Sequence, residues 1–532
     1  MSEKIIGVPL PGFAEFSRGA AAEGMVLLKN ENNTLPILKS DVLSVFGRCQ
    51  FDFYRSGTGS GGAVNVEYVV NAINGLRHNK KITLNESLIG VYEAWLVDNP
   101  FDNGGGGWAA EPWFQKEMPL TDELVQTARN ASNKAIYIIG RTAGEDKDNA
   151  DIAGGYRLTE EEMANLQLIT NHFEEVAVIL NVSNVIDMSW VNDPTFNNHI
   201  TAVLYAWQGG IEGGNALADI LSGDITPSGK LTDTIAYRIE DYSSDKNFGD
   251  KVTNIYEEDI YLGYRYFETF NKEAVQYPFG YGLSYTTFNM NKTSSAVKGS
   301  GADAILELEI CVTNTGDTYA GKEVVQVYYS APQGVLGKPA KVLGAFAKTD
   351  VLEPGASQTL TISLPVANMA SYDDGGATGH KSAYVLESGE YHILVGNSVR
   401  DLSTVHTYTV ESLVVVEQLE ESMAPVQAFN RMKPGALKED GTYEVAYEAT
   451  PLRTVDLQKR IDERLPSALE QTGNVGLTLK DVKEGRATLD QFIAQLSDAE
   501  LAQIVRGEGM SSPKVTPGTA AAFGGVTDAL LG

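Results

Sequence analysis

Four short apolar runs, set between segments of helical pattern, constrain this chain more than any other feature. Val42-Leu43-Ser44-Val45-Phe46, Ala135-Ile136-Tyr137-Ile138-Ile139, the stretch Val176 to Val182 and the stretch Ala202 to Trp207 carry apolar side chains at every position but Ser44 and Asn181. Successive side chains of a strand point to opposite faces, so nearly continuous runs of this length predict strands buried on both sides. Before the first run, Phe13, Phe16, Ala20, Leu27 and Leu28 recur at helical spacing. Thr159 with Glu162 three residues on reads as a capping box opening a helix, and Ile211 to Leu221 has helical composition until Gly223 stops it. Strands alternating with helices predict a mainly parallel sheet covered on both faces, an α/β sandwich.

From about residue 303 the period changes. Leu306, Leu308, Ile310 and Val312 alternate with Glu307, Glu309 and Cys311, and Leu360, Ile362 and Leu364 alternate with Thr361 and Ser363. Further strands are expected at Val324 to Tyr329, Val342 to Phe346 and Tyr391 to Val395, which predicts an all-β sandwich of about 110 residues. Residues 416–478 lack a clear apolar period and read as a linker with short helices. After it, Leu489, Phe492, Ile493 and Leu496 mark a helix, and Ser497 with Glu500 caps the next. A length of 532 residues suits three to four domains. The divisions expected are 1–240, 241–290 as a connecting segment, 291–415, 416–478, and 479–532 as the incomplete start of a further domain.

Charge narrows the partners. Lys+Arg 41 against Asp+Glu 70 gives a net charge of -29, which repels phosphate backbones and anionic lipid, so neither nucleic acid nor membrane is an expected partner. Cys49 and Cys311 are far apart and read as buried free thiols, and the six His show no metal spacing, so no metal and no cofactor are expected. Met1-Ser2-Glu3-Lys4 opens no secretory signal, and no long uncharged apolar stretch occurs, so the expected compartment is the cytoplasm.

Three segments could carry chemistry. Gly57-Thr58-Gly59-Ser60-Gly61-Gly62 matches the dinucleotide fingerprint, but Phe46 ends the preceding strand ten residues earlier, so the run reads as a tight surface loop or as a loop that lets Ser60 touch a polyhydroxylated ligand. Arg141 to Asn149 follows the apolar strand ending at Ile139-Gly140, at the carboxyl edge where open α/β sheets place ligands. Glu145, Asp146 and Asp148 crowd there; a solvated acidic loop is the plainer reading, and a general acid tuned by like charges is the functional one. Trp95, Trp108 and Trp113, with Phe101, Phe114, Asp98 and Asp102, suit either sugar stacking or core packing.

Several segments together resemble glycoside hydrolase family 3, the β-glucosidase family. Ala21-Ala22-Glu23-Gly24-Met25-Val26-Leu27-Leu28-Lys29-Asn30, Trp207-Gln208-Gly209-Gly210-Ile211-Glu212-Gly213-Gly214 with Pro227-Ser228-Gly229-Lys230-Leu231, and Tyr256 to Phe267 with Phe279 to Thr286 are similar to its signatures. The resemblance covers about residues 10–410 and implies an α/β sandwich domain over 1–240, a fibronectin type III-like domain over 291–415, and the start of a (β/α)8 barrel over 479–532 in a circularly permuted order. It further implies a retaining enzyme that hydrolyses terminal β-D-glucosyl residues of a β-glucoside or oligosaccharide. Glu145 matches the general acid/base of the loop, Asp148 its orienting Asp and Ser60 the sugar contact of the "GTGSG" loop, while Asn149 stands where the family usually has Arg. The attacking Asp belongs to barrel sequence that these residues lack, to be supplied in cis or by a second chain. β-Xylosidase and β-N-acetylglucosaminidase specificities, a non-catalytic carbohydrate-binding role and a homo-oligomer stay open.

Overall fold

The computed structural model describes residues 9–59, 62, 66–106 and 109–506. Two compact units are present: residues 10–57 with 68–453, and a second unit that contains 58–67 and the chain from 454 onward.

The first unit begins with α1 (Phe13–Gly24) and a six-stranded sheet made of β1 (Val26–Asn30), β2 (Val42–Phe46), β3 (Thr83–Leu84), β4 (Lys134–Arg141), β5 (Val176–Val182) and β6 (Ile200–Tyr205). Their order is β1-β6-β5-β4-β2-β3. All neighbours are parallel except β1, which runs antiparallel along the outer edge of β6. Helices α2 (Ala72–His78), α3 (Glu86–Asp98), α4 (Asp122–Ala131), α5 (Glu160–His172) and α6 (Gly213–Leu221) fill the connections. Strand alternation explains the nearly continuous apolar runs: Tyr137, Ile139, Val178 and Leu180 enter a core with α4 and α5, while Ile136, Ile138, Ala177 and Ile179 enter another with α2 and α6. The α/β sandwich with a mainly parallel sheet is therefore present.

Leu27 and Leu28 depart from the helical reading. The helix stops at Gly24 and both leucines lie in β1, one in each of the two cores. Adjacent side chains that must be buried on opposite sides fit a strand and not a single helical stripe.

A connecting stretch carries the pair β7 (Ile235–Ala236) and β8 (Val275–Tyr277) with α7 (Tyr264–Phe270) between them. The β-sandwich follows: β9 (Phe288–Lys298), β10 (Ile305–Asn314) and β13 (Ser357–Pro365) form one sheet. The other holds β11 (Val324–Ser330), β12 (Val342–Lys348), β16 (Gly389–Gly396) and β17 (Leu402–Val410). Leu306, Leu308, Ile310 and Val312 meet Val325, Val327, Tyr391 and Ile393 in their common core, which is the face the period of two predicts. At one side, β14 (Ser371–Asp373), β15 (Ala383–Leu386) and β18 (Val414–Gln418) form a third small sheet.

Residues 416–478 are more structured than a linker. They include the end of β18 and a hairpin of β19 (Asn430–Leu437) and β20 (Tyr443–Ala449), and the hairpin belongs to the first unit. Only Met432 of β19 is buried, so the hairpin has almost no apolar period to read. Ion pairs hold it instead: Arg431 and Lys433 both bond Glu448 across the strands, at 3.0 and 2.8 Å.

In the second unit, α8 (Leu457–Arg464), α9 (Leu479–Lys483), α10 (Leu489–Ala494) and α11 (Asp498–Arg506) are short. Phe492 and Leu496 pack with Leu477 and Val482, and Ser497 and Glu500 cap one another as expected. No closed barrel occurs among the described residues, and residues 507–532 of the expected barrel start lie outside them.

Candidate active site

Because β2, β4, β5 and β6 are parallel, their carboxyl ends share one edge, and the loops after them converge there. Asn181, the one polar residue near the end of β5, ties two of these loops together. Its Oδ1 accepts the Tyr54 N–H (2.6 Å), and its Nδ2 donates to the carbonyls of Tyr54 (3.0 Å) and Trp207 (2.7 Å). Trp207 adopts a left-handed φ of 54°, an uncommon state for a bulky residue that this bond helps to hold. The next residue reaches the third loop, where Gln208 Nε2 lies 3.4 Å from the Arg141 carbonyl.

The loop after β4 starts from a buried ion pair. Arg141 donates two bonds of 2.6 Å to Glu162, which also accepts the Thr159 N–H at 2.8 Å and so closes the capping box of α5. The Arg141 guanidinium also lies 5.7 Å from the Phe114 ring. Beyond it, Thr142 N–H donates to the Trp113 carbonyl (2.9 Å), and Gly144 to Lys147 form a tight turn closed by the Lys147 N–H to Gly144 carbonyl bond (3.1 Å). Asp146 takes the left-handed corner of that turn with φ 60°. Lys147 then reaches back, its ammonium 5.5 Å from the Trp113 ring, and Asn149 Nδ2 donates to the Val185 carbonyl (2.8 Å). Asn149 thus supplies a neutral tether on the far side of the turn. Glu145 sits at the exposed tip of the turn between these tethers.

Gly57 closes in from the loop after β2. A Cβ there would overlap the Ala143 carbonyl, so only glycine permits this approach of the two backbones. The sequence-expected loops at Gly57 and Glu145 are thereby adjacent. Ser60 lies outside the described residues. Asp148 is exposed, and its carboxylate has no partner among the described residues. Among the described residues, the first helix after the glycine run is α2, which begins at Ala72. Of the aromatic group, Trp113 borders the turn, Trp95 packs 5.4 Å from the Arg48 guanidinium, Phe101 meets Tyr54 edge-on, and Trp108 lies outside the described residues. Asn181 and Lys147 carry no motif; a lone Asn at the end of an apolar strand was the available signal for the first.

Behind Trp113, the strap that carries it is fixed by Glu117. This buried carboxyl accepts the N–H groups of Arg48 (3.0 Å) and Met118 (2.7 Å), and burial pushes its pKa up to about 8. An unfolded glutamate titrates near 4.3, so the folded form keeps its proton over a range where the unfolded form has lost it. Stability contributed below about pH 4.3 is therefore lost as pH rises toward 8, at up to about 1.4 kcal/mol per pH unit. Glu117→Gln is expected to flatten the decline in urea midpoint between pH 5 and 8; an equal slope in both proteins would contradict this assignment.

No group of His, Cys, Asp and Glu able to hold a metal occurs among the described residues, and no helix there is long and apolar enough to cross a membrane.

Comparison with known proteins matches residues 25–285 to the glycosyl hydrolase family 3 C-terminal domain and residues 323–399 to the fibronectin type III-like domain. The chain is 49% identical over 505 residues to a β-glucosidase of Ruminococcus albus, covering 95% of this chain and 51% of that protein. It is 39% identical to β-glucosidase A of Butyrivibrio fibrisolvens, covering 93% of this chain and 64% of that protein. Among solved structures, a β-glucosidase from Paenibacillus barengoltzii superposes with a TM-score of 0.96 at 64% identity, covering 99% of this chain and 57% of that one. β-Glucosidase 3B from Thermotoga neapolitana in complex with glucose superposes at 0.67 with 31% identity, covering 76% of this chain and 55% of that one. The chain thus spans 51% and 64% of the length of these two relatives. With both domain models matched in this order, and the strand-edge loops placed as described, the chain belongs to glycosyl hydrolase family 3.

Proposed function

We propose that this chain is the acid/base-bearing part of a retaining β-glucosidase that hydrolyses terminal β-D-glucosyl residues. The observation that carries the reading is the presentation of Glu145: an exposed carboxyl at the carboxyl edge of the sheet, on a turn tethered on both sides and packed beside Gly57. Its carboxylic acid donates a proton to the glycosidic oxygen as the bond to the aglycone breaks. A carboxylate on the opposite face of the sugar forms the glycosyl-enzyme, and Glu145 then takes a proton from the water that releases glucose. Two such groups stand about 5 to 5.5 Å apart in retaining enzymes. The attacking one is an Asp of barrel sequence outside these residues. Ser60 contacts the sugar, and Asp148 orients the loop once the substrate side is assembled.

Proton NMR of the first product tests this reading. With the barrel polypeptide supplied, 4-nitrophenyl β-D-glucoside is expected to release β-glucose before mutarotation. α-Glucose as the first product would overturn retention. Hydrolysis by the 532-residue chain alone would overturn the external origin of the attacking carboxylate.

A further inference from the structure

One cavity shares no wall with the Glu145 loop. It is a cleft of about 840 Å³ between the third small sheet, the loop before α7 and the β19–β20 hairpin. That volume lies in the range of small-molecule sites, about 300 to 1,000 Å³.

Its floor is a rigid charged network. Arg431 donates to Asp374 at 2.6 and 3.0 Å, bonds Glu448 at 3.0 Å and lies 3.4 Å from Asp259. One guanidinium thereby locks three carboxylates, and each carboxylate keeps lone pairs to offer. On the wall, Tyr372 and Tyr384 are cross-strand partners on β14 and β15, with ring centroids 5.1 Å apart and each 40% exposed. The remaining wall holds Arg265 of α7, a half-buried residue whose guanidinium has no hydrogen bond or ion pair among the described residues. In a chain of net charge -29, an arginine left without a carboxylate is an open set of donors.

These groups select a chemical class. Asp259, Asp374 and Glu448 set against Arg431, Lys433 and Arg265 balance in charge, so these groups favour neither an anion nor a cation. A neutral polyhydroxylated ligand meets every feature: its hydroxyls donate to Asp374 and Glu448 and accept from Arg265, and its C–H faces lie on the tyrosine rings. We propose that this cleft binds a short neutral oligosaccharide. The proposal does not depend on the role of Glu145, because no residue of that loop lines the cleft.

Calorimetric titration of the chain with cellotriose tests it. Saturable binding is expected with a Kd in the range of about 1 mM. Tyr384→Ala and Arg265→Met are each expected to weaken it about tenfold, the scale of one lost aromatic contact or charged hydrogen bond. Tyr384→Phe keeps the ring face and is expected to retain binding, which separates loss of stacking from loss of folding. Glu145→Ala, outside the cleft, is expected to leave the cleft isotherm unchanged. Absence of heat up to about 10 mM cellotriose, or equal affinity in Tyr384→Ala, Arg265→Met and the parent, overturns the proposal.

Discussion

Replacing Glu145 by Ala is expected to lower turnover of alkyl β-glucosides by about 10²- to 10⁴-fold in the assembled enzyme, the usual weight of one general acid/base. A poor leaving group needs its oxygen protonated as the bond breaks, the step here assigned to Glu145. A dinitrophenyl glucoside leaves without protonation, so its first step is expected to survive the substitution while release of the sugar slows. Azide needs no general base and is expected to restore turnover, giving β-glucosyl azide. The side chain is exposed at a turn tip, where substitutions usually shift stability by less than about 0.5 kcal/mol, so the loss cannot be assigned to unfolding. Equal losses on both leaving groups, or no azide product, would remove Glu145 from the acid/base role.

Arg141 and Glu162 are expected to give the largest stability loss of any single pair in the sheet domain. Their side chains are 1% and 7% exposed and share two bonds of 2.6 Å. Arg141→Met leaves the Glu162 charge buried without its partner, which costs about 3 to 5 kcal/mol. Glu162→Leu leaves the guanidinium similarly stranded and also removes the acceptor of the Thr159 N–H in the cap of α5, worth about 1 kcal/mol. The double variant Arg141→Met with Glu162→Leu removes both charges and is expected to be more stable than either single variant, since two apolar groups replace a desolvated pair at little net cost. Urea unfolding of the four proteins checks the cycle. Single variants within about 1 kcal/mol of the parent would show that water relieves the stranded charge. Since Arg141 is the last residue of β4, the single variants should also increase proteolytic cutting within 142–149.

Much of the scaffold was legible before any coordinates. The buried strands follow from nearly continuous apolar runs, and the start of α5 follows from Thr159 and Glu162, because a capping box is a local device spelled by two residues three apart. Leu27 and Leu28 misled because helical spacing and a two-sided strand share adjacent apolar positions until the partner layers are known. The β19–β20 hairpin was hidden for a different reason: its pairing rests on Arg431, Lys433 and Glu448, and ion pairs leave no hydrophobic period. Family resemblance, not composition, singled out Glu145 from its acidic neighbours.

Sequence alone determined the buried strands of the sheet, the start of α5, where the period changes, and which loop carries the crowded carboxylates, because these depend on neighbours a few residues apart. Tertiary structure alone decided that Gly57 packs on Ala143, that Trp113 receives Thr142 and Lys147, that Asn181 joins the Tyr54 and Trp207 loops, and that Arg265 lines a tyrosine-walled cleft with no ion-pair partner among the described residues. Each of these contacts joins positions tens of residues apart. A single strand has no record of which distant backbone its sheet neighbours will bring alongside it, so such contacts exist only once the layers have packed.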